Sequence, residues 1–534
     1  MKSKLICVTT TTFIVMAVSL QLAAQQQHAT HHHYKLIEVG PRSYINGFEY
    51  YGPVQNLNAR GILIGWADTN TPDPYPNFCF SPDCLVTNGF RGPNHQNGNL
   101  PALTNGVSSA AHWISANGLV AGGSENGETD PLDPGFPEVR AVLWDKGGNI
   151  MDLGTLPEGG YESSAHSVNS RGQVAGWALN TTSDPYSLAV FSTFYDNYEP
   201  VYPYQTRAFL WENGVMQDLG TLTKDGTDAM AFAINEAGQI IGISYTNSTP
   251  NQVATRCSGA IQSLMPTQEP FLWENGKMIS LKSLGGTCGF PHDINSHGQV
   301  VGASDLLGDQ VMHPFLWTKA KGMLDLLKDS TTFTGVWGIA TKMNESGEVV
   351  GWANLAGDTQ TDAFFWDGTV HDLGNINGCA HAWWINTQGQ VIGHWGAYVG
   401  GSTPYLGDGD CETGSFLWEN GGPMVDLATL VSSDSGISVG NGAFDINNRG
   451  EIAGLGTDAN GKTHAILLIP CDENHPDVED CDYSLVDAAT AAQARTQSSP
   501  SANENNDRST ERLDPLHGRL TRHRGFSGVS SGNK

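Results

Sequence analysis

Ser164-Ala165-His166-Ser167-Val168-Asn169-Ser170-Arg171-Gly172-Gln173-Val174-Ala175-Gly176-Trp177 reads as one β-hairpin. Asn169 opens a type I turn, because its side chain can accept from backbone N–H groups two residues on. Gly172 supplies the positive φ of a bulged hairpin. Ser164–Asn169 and Gln173–Trp177 are then its two strands.

The phrase recurs along the chain: an apolar residue, Asn, two variable residues, Gly, then an apolar strand ending in Gly. Its copies are Leu57-Asn58…Gly61, Val168-Asn169…Gly172, Ile234-Asn235…Gly238, Ile294-Asn295…Gly298, Met343-Asn344…Gly347, Ile385-Asn386…Gly389 and Ile446-Asn447…Gly450. Ile114 to Gly118 is an eighth copy, with Ser115 in the Asn place. The Gly-to-Gly steps are 57, 54, 66, 60, 49, 42 and 61 residues, so the basic unit is about 42 and longer steps carry insertions. A period of this size signals a propeller or a solenoid.

A second phrase lies between the turns. Ala208-Phe209-Leu210-Trp211-Glu212-Asn213-Gly214 leads into Met216-Gln217-Asp218-Leu219-Gly220. Pro270 to Gly276 and Ser415 to Gly421 repeat it, and Val142-Leu143-Trp144, Phe315-Leu316-Trp317 and Phe364-Phe365-Trp366 are looser copies. Each is an aromatic strand, a tight turn and a short return strand. Two hairpins per unit give four strands, the content of one propeller blade.

The ends decide between ring and spring. Tyr34-Lys35-Leu36-Ile37-Glu38-Val39-Gly40 matches only the second strand of the aromatic hairpin, and His464-Ala465-Ile466-Leu467-Leu468-Ile469 only the first. Paired, they complete a blade. A solenoid would end in polar capping repeats instead, and a closed ring has no long exposed edge. The sequence therefore predicts an all-β closed β-propeller of four-stranded repeats with eight blades. Seven stay open, because the first unit is irregular over Ala67–Asn99; its last strand falls at Asn99–Leu103.

Composition agrees. Of 534 residues 64 are Gly, and only 15% are charged, which disfavours helix bundles. The net charge is −28, or −30 without Lys2 and Lys4 of the leading segment, a field that repels phosphate backbones and argues against nucleic acid as a partner.

Residues 1–24 read as a signal peptide: two lysines, an apolar run, then Leu22-Ala23-Ala24 before Gln25. No later stretch has the ~18 apolar residues of a membrane helix. Residues 25–33, with His31-His32-His33, read as a flexible leader, 34–470 as the propeller, and 471–534 as a disulfide-clipped segment with a disordered tail. Eight cysteines follow Cys7, an even number that suits disulfides in an exported chain. Sequence leaves the connectivity open; nearest-neighbour pairing gives 79–84, 257–288, 379–411 and 471–481.

From Tyr34 to Pro470 the chain resembles the extracellular HAF-repeat proteins, named for a His-Ala-Phe signature opening the aromatic strand. The matching positions are Arg207-Ala208-Phe209, His313-Pro314-Phe315, Asp362-Ala363-Phe364 and His464-Ala465-Ile466, none a complete triplet. The resemblance implies an exported repeat protein and brings no catalytic residue.

No zincin, nucleophile-elbow, Walker or dinucleotide motif is present. His112, His166 and His292 each stand three residues before the turn Asn or its equivalent, where other units carry Gln55, Phe232, Thr341, Trp383 and Phe444. They either converge on the channel as ligands or bases, or pack as strand residues between blades. Tyr195, Tyr198 and Tyr202 crowd the longest insertion, as an aromatic patch for a partner or as packing for its own blade. The strand tryptophans read as wedges between blades. No cofactor is implied; Asp130 with Asp133, Asp408 with Asp410, and Asp458 with Asn460 offer oxygen pairs suited to Ca2+. The function expected is a secreted, monomeric, non-catalytic binding module for an extracellular glycan or protein. Its alternative is a carbohydrate-active enzyme with a site at the channel mouth, since paired acids need no local motif.

Overall fold

A computed structural model describes residues 30–487, except 46–54, 76–78, 93–97, 132–135, 189–203, 252–264, 399–410 and the positions 82, 158, 185, 412, 420, 433–434 and 441. Blades 1 to 7 each take four antiparallel strands in chain order. Blade 3 is typical, with Ser163–Val168, Val174–Ser183, Tyr204–Glu212 and Val215–Asp218. Blade 1 keeps the pattern, and Asn99–Leu100 is indeed its last strand. Blades 6 and 7 share a single parallel bridge, Thr361 to Cys379.

Blade 8 is made by both ends of the repeat region. Ile437–Ser438 with Ala443–Ile446, Ile452–Asp458 and Thr463–Pro470 come from the C-terminal side, and Tyr34–Pro41 from the N-terminal side. Tyr34 lies opposite Pro470 and Pro41 opposite His464. The ring is closed, with eight blades.

The turn and strand chemistry follows the sequence. Asn169 Oδ1 accepts from Arg171 N and Gln173 N at 3.0 and 3.2 Å, and Gly172 has φ +80°. Its amide nitrogen, not assigned by the sequence, donates to Asn235 O of the next blade at 3.1 Å. The same inter-blade bond joins Asn235 to Asn295 O, Asn344 to Asn386 O and Asn386 to Asn447 O. The Gly that ends the apolar strand also has a reason. In six blades it pairs across the strand with the Phe of the aromatic strand, as Gly242 with Phe271. A Cβ on Gly242 would lie 2.8 Å from the Phe271 ring and 2.0 Å from Met230 O, so only Gly lets the ring lie flat on the sheet. Phe209, Phe271, Phe315, Phe364 and Phe416 are fully buried. Trp144, Trp211, Trp273 and Trp317 are buried between blades, while Trp366 and Trp418 are half-buried.

Disulfides join Cys79–Cys84, Cys379–Cys411 and Cys471–Cys481. The fourth expected pair rests on Cys257, outside the described residues. The leader differs from expectation: Thr30–His32 form a strand paired with Leu485–Asp487, and His31 is buried.

Candidate functional site

The first strand of each blade is a sheet edge, in blade 7 apart from its one bridge to Thr361, and from blade 2 to blade 8 these strands touch their successors around the centre. An edge strand presents unpaired N–H and C=O groups that need partners. Here side chains of the neighbouring blade supply them. Each inner strand from blade 2 onward has a register shift three residues before the turn Asn or its equivalent, at His112, His166, Phe232, His292, Thr341, Trp383 and Phe444. A bulge of this kind leaves one residue unpaired in the ladder. The carbonyl just before it is reached from the preceding blade: Ala165 O by His112 Nδ1 at 3.2 Å, and Ala382 O by Thr341 Oγ1 at 2.8 Å. His166 bears likewise on Ala231 O. At Ala443 O the bulged Trp383 is replaced by His394, whose Nε2 lies 3.1 Å away.

The structure therefore places the three predicted histidines in one ring and gives at least two of them an architectural bond. Burial lowers His166 to about 4 and His292 to about 3. His292 packs edge-on to Phe290 with centroids 5.1 Å apart. Two histidines that the repeat phrase did not single out join them. His381 and His394 face each other across blade 7, and burial lowers them to about 3 and about 4. Neutral imidazoles so far below neutrality make poor general bases. Tyr195, Tyr198 and Tyr202 lie outside the described residues.

Two residues before the turn Asn, a second set binds backbone N–H groups of the next blade. Ser167 Oγ accepts from Ile234 N at 3.2 Å, Asp293 Oδ2 from Met343 N at 3.1 Å, and Asp445 Oδ2 from Asn56 N and Leu57 N, both at 2.9 Å. Lys342 Nζ lies 3.1 Å from Asp293 Oδ1. Burial raises Asp445 to about 6, against the pull of the Lys342 charge. Their spacing to the turn was visible in the sequence; their function as latches was not, because it needs the neighbouring blade.

The ends of the ring differ. The Asn turns and the outer Asn-Gly turns lie at one end. The connections from second to third strand, and from each blade to the next, lie at the other. Those spanning 73–84, 130–136, 184–203, 251–265 and 398–413 are long, and blade 1 alone also has a long connection, 45–63, between its first and second strands. Trp177, Tyr186 and Trp383 are half-buried and border a cluster of Met230, Phe232, Tyr245, Trp337 and Trp352. His381 stacks on Trp352 with centroids 4.3 Å apart.

Cys379, His381 and Cys411 bring three metal-ligating atoms together, but the two sulfurs are joined to each other. Of the Ca2+ candidates, Asp458 Oδ1 caps a turn, accepting from Asn460 N and Lys462 N, both at 2.8 Å. Asp133, Asp408 and Asp410 lie outside the described residues. Among the described residues no helix is long and apolar enough to cross a membrane.

No family model and no curated protein matches the chain. Among solved structures, the uncomplexed acylaminoacyl peptidase of Pyrococcus horikoshii is similar over 72% of this chain and 53% of its own, with 11% identity and a TM-score of 0.38. The β-propeller domain of the Trilobed protease from Pyrococcus furiosus is similar over 71% of this chain and 96% of its own, with 10% identity and a TM-score of 0.34. TolB from Acinetobacter baumannii is similar over 65% and 63%, with 9% identity and a TM-score of 0.28. The chain spans about half the length of the acylaminoacyl peptidases it matches. At these identities the likeness concerns the fold alone.

Proposed function

We propose that the protein is an exported, non-catalytic module that holds an extracellular glycan or protein on its loop face. The observation that carries this reading is the division of labour between the two ends. From blade 2 to blade 8 short hydrogen-bonded turns close one end, while long connections between second and third strands recur at the other, in blades 1, 2, 3, 4 and 7. Loops on a rigid scaffold are where binding surfaces are built. The inner-wall side chains that would serve an enzyme are instead tied to backbone groups of neighbouring blades. The three disulfides suit an oxidising compartment.

The test is retention on a panel of insoluble polysaccharides and immobilised surface proteins, with soluble products measured in parallel. Retention without products, lost when residues 189–203 are replaced by a short Gly-Ser linker, supports the reading. Release of sugar products, abolished by His166→Gln or His292→Gln, would overturn it in favour of a carbohydrate-active enzyme.

A further inference from the structure

One junction of the loop face differs from its counterpart in a way that calls for a ligand. Asp73-Pro74-Tyr75 and Asp184-Pro185-Tyr186 stand at the roots of the long connections of blades 1 and 3. In both, the Asp Oδ1 accepts from the Tyr backbone N at 2.8 Å. In both, a residue seven before the next blade's turn Asn or its equivalent latches the third strand. Ser108 Oγ accepts from Thr87 N at 3.3 Å, and Asp228 Oδ1 accepts from Thr206 N at 2.7 Å and from Leu188 N at 3.2 Å.

The counterparts part at the next atom. Ser108 Oγ donates to Asp73 Oδ2 at 3.1 Å, so that carboxylate is satisfied. Asp228 has no proton to donate when ionised, and it meets the carboxylate of Asp184. Asp228 is fully buried, and its Oδ2 has no hydrogen bond of normal geometry; the buried Oγ1 of Thr227 beside it bears on the carboxylate but is equally off-geometry. Arg207, which donates to the main-chain oxygen of Thr227, is already paired with Asp218 at 2.9 Å. Two buried carboxylates in contact cannot both stay ionised unless a positive charge joins them.

We propose that Asp184, Asp228 and Thr227 bind a hard divalent cation, Ca2+, at the root of the longest connection. All three offer oxygen, the donor set of Ca2+ and not of thiophilic metals. Burial, with the Asp184 charge adding to it, raises Asp228 to about 8 without the cation, which is the condition a bound cation would relieve. With few protein ligands the affinity expected is that of extracellular modules, about 10⁻⁴ to 10⁻³ M. This inference stands apart from the loop-face reading, since a structural cation needs no glycan or protein partner.

The experiment uses the full chain, the variants Asp228→Ser and Asp184→Asn, and Ca2+ and Tb3+ as probes. Asp228→Ser reproduces the Ser108 junction, so it keeps a latch for Thr206 and a donor for Asp184. Expected are Tb3+ luminescence sensitised by Tyr186 and Trp177, displaced by Ca2+, and a Tm rise of about 1–3 °C in about 10 mM Ca2+. Both signals should fall at least tenfold in each variant, while far-UV circular dichroism stays unchanged. If Ca2+ leaves the Tm of the wild type unchanged, or if luminescence is equal in all three proteins, the proposal fails and the pair shares a proton instead.

Discussion

The side-chain amide of Asn447, in the turn of blade 8, donates to the main-chain oxygen of Asn58, in the turn of blade 1, across 3.0 Å. The two are 389 residues apart, yet the bond is the one that joins successive turns at five other junctions of the ring. Asn447 also accepts from Arg449 N and Glu451 N, at 2.9 and 3.1 Å, and donates to Glu451 Oε2 at 2.6 Å. Asn447→Ala removes all of these. It should cost about 1–3 kcal/mol, because Asn58 O is left buried beside the gap. Asn447→Asp keeps the acceptor for the turn but cannot donate, and it adds a charge next to Glu451; it should be at least as damaging. Urea unfolding of both variants beside Asn235→Ala measures this. Equal losses at positions 447 and 235 are expected of a continuous ring, and a loss at 447 below about 0.3 kcal/mol would mean that the seam carries no strain-free bond.

The ring itself was legible in the sequence, because the Asn, the turn Gly and the sheet Gly are each demanded by local geometry within one blade. The half-hairpins at Tyr34–Gly40 and His464–Ile469 were legible for the same reason. The inner-strand bulge was not. It is defined by two residues facing one on the partner strand, and it accepts His166, Phe232, Thr341 or Trp383 alike. The second function of the turn Asn and the latch at Asp445 were hidden too, since their partners lie on another blade. Asp228 was readable only in comparison with Ser108, once the blades could be superposed residue by residue.

Four histidines with lowered pKa values should set the acid limit of stability. His166, His292, His381 and His394 have folded pKa values of about 4, 3, 3 and 4, against about 6.5 for the unfolded chain. Between those values the unfolded state binds more protons, so their contribution is fully present above pH 6.5 and is lost as pH falls toward 4. His394→Gln isolates one of them, since a Gln amide can still donate to Ala443 O. The variant should lie within about 1 kcal/mol of wild type at pH 7. Its stability should then fall more slowly on acidification, by up to about 1.4 kcal/mol per pH unit. Guanidinium unfolding between pH 7.5 and 4.5 checks this; parallel curves for the two proteins would show that His394 takes up its proton as readily in the fold as in the unfolded chain.

Asp445 works with the opposite sign. Its folded value of about 6 lies above the ordinary 3.8, so the folded state holds the proton more tightly. Its contribution is greatest near pH 4 and declines as pH rises through 6. Asp445→Asn keeps an acceptor for Asn56 N and Leu57 N without the buried charge. The variant should match wild type near pH 4 and exceed it above pH 7, by up to about 3 kcal/mol. Loss of the attraction to Lys342 works against that gain, while Lys342 keeps its pair with the buried Asp293. A variant less stable than wild type at pH 8 would show that the carboxylate is ionised and needed as an anion.

A last expectation concerns the strands that lie outside the repeat. Cys471 N donates to His33 O at 2.8 Å, and the Cys471–Cys481 loop returns the chain so that Val486 pairs with His31. His31 Nδ1 lies 3.2 Å from Glu419, and His475 bridges Asp472 at 2.7 Å and Glu451 at 3.4 Å. This clasp rests on blades 7 and 8, but it contributes no strand to them. Cys481→Ser should therefore loosen the clasp and leave the seam intact. Amide exchange at residues 30–32 and 485–487 should quicken by at least tenfold, because closing a short loop by a disulfide restrains the open state by about 2–3 kcal/mol. Amides of Tyr34–Pro41, paired with Thr463–Pro470 and buried between blades, should keep their protection. Were exchange to spread along Tyr34–Pro41 as well, the disulfide, and not strand pairing, would be what holds the ring shut.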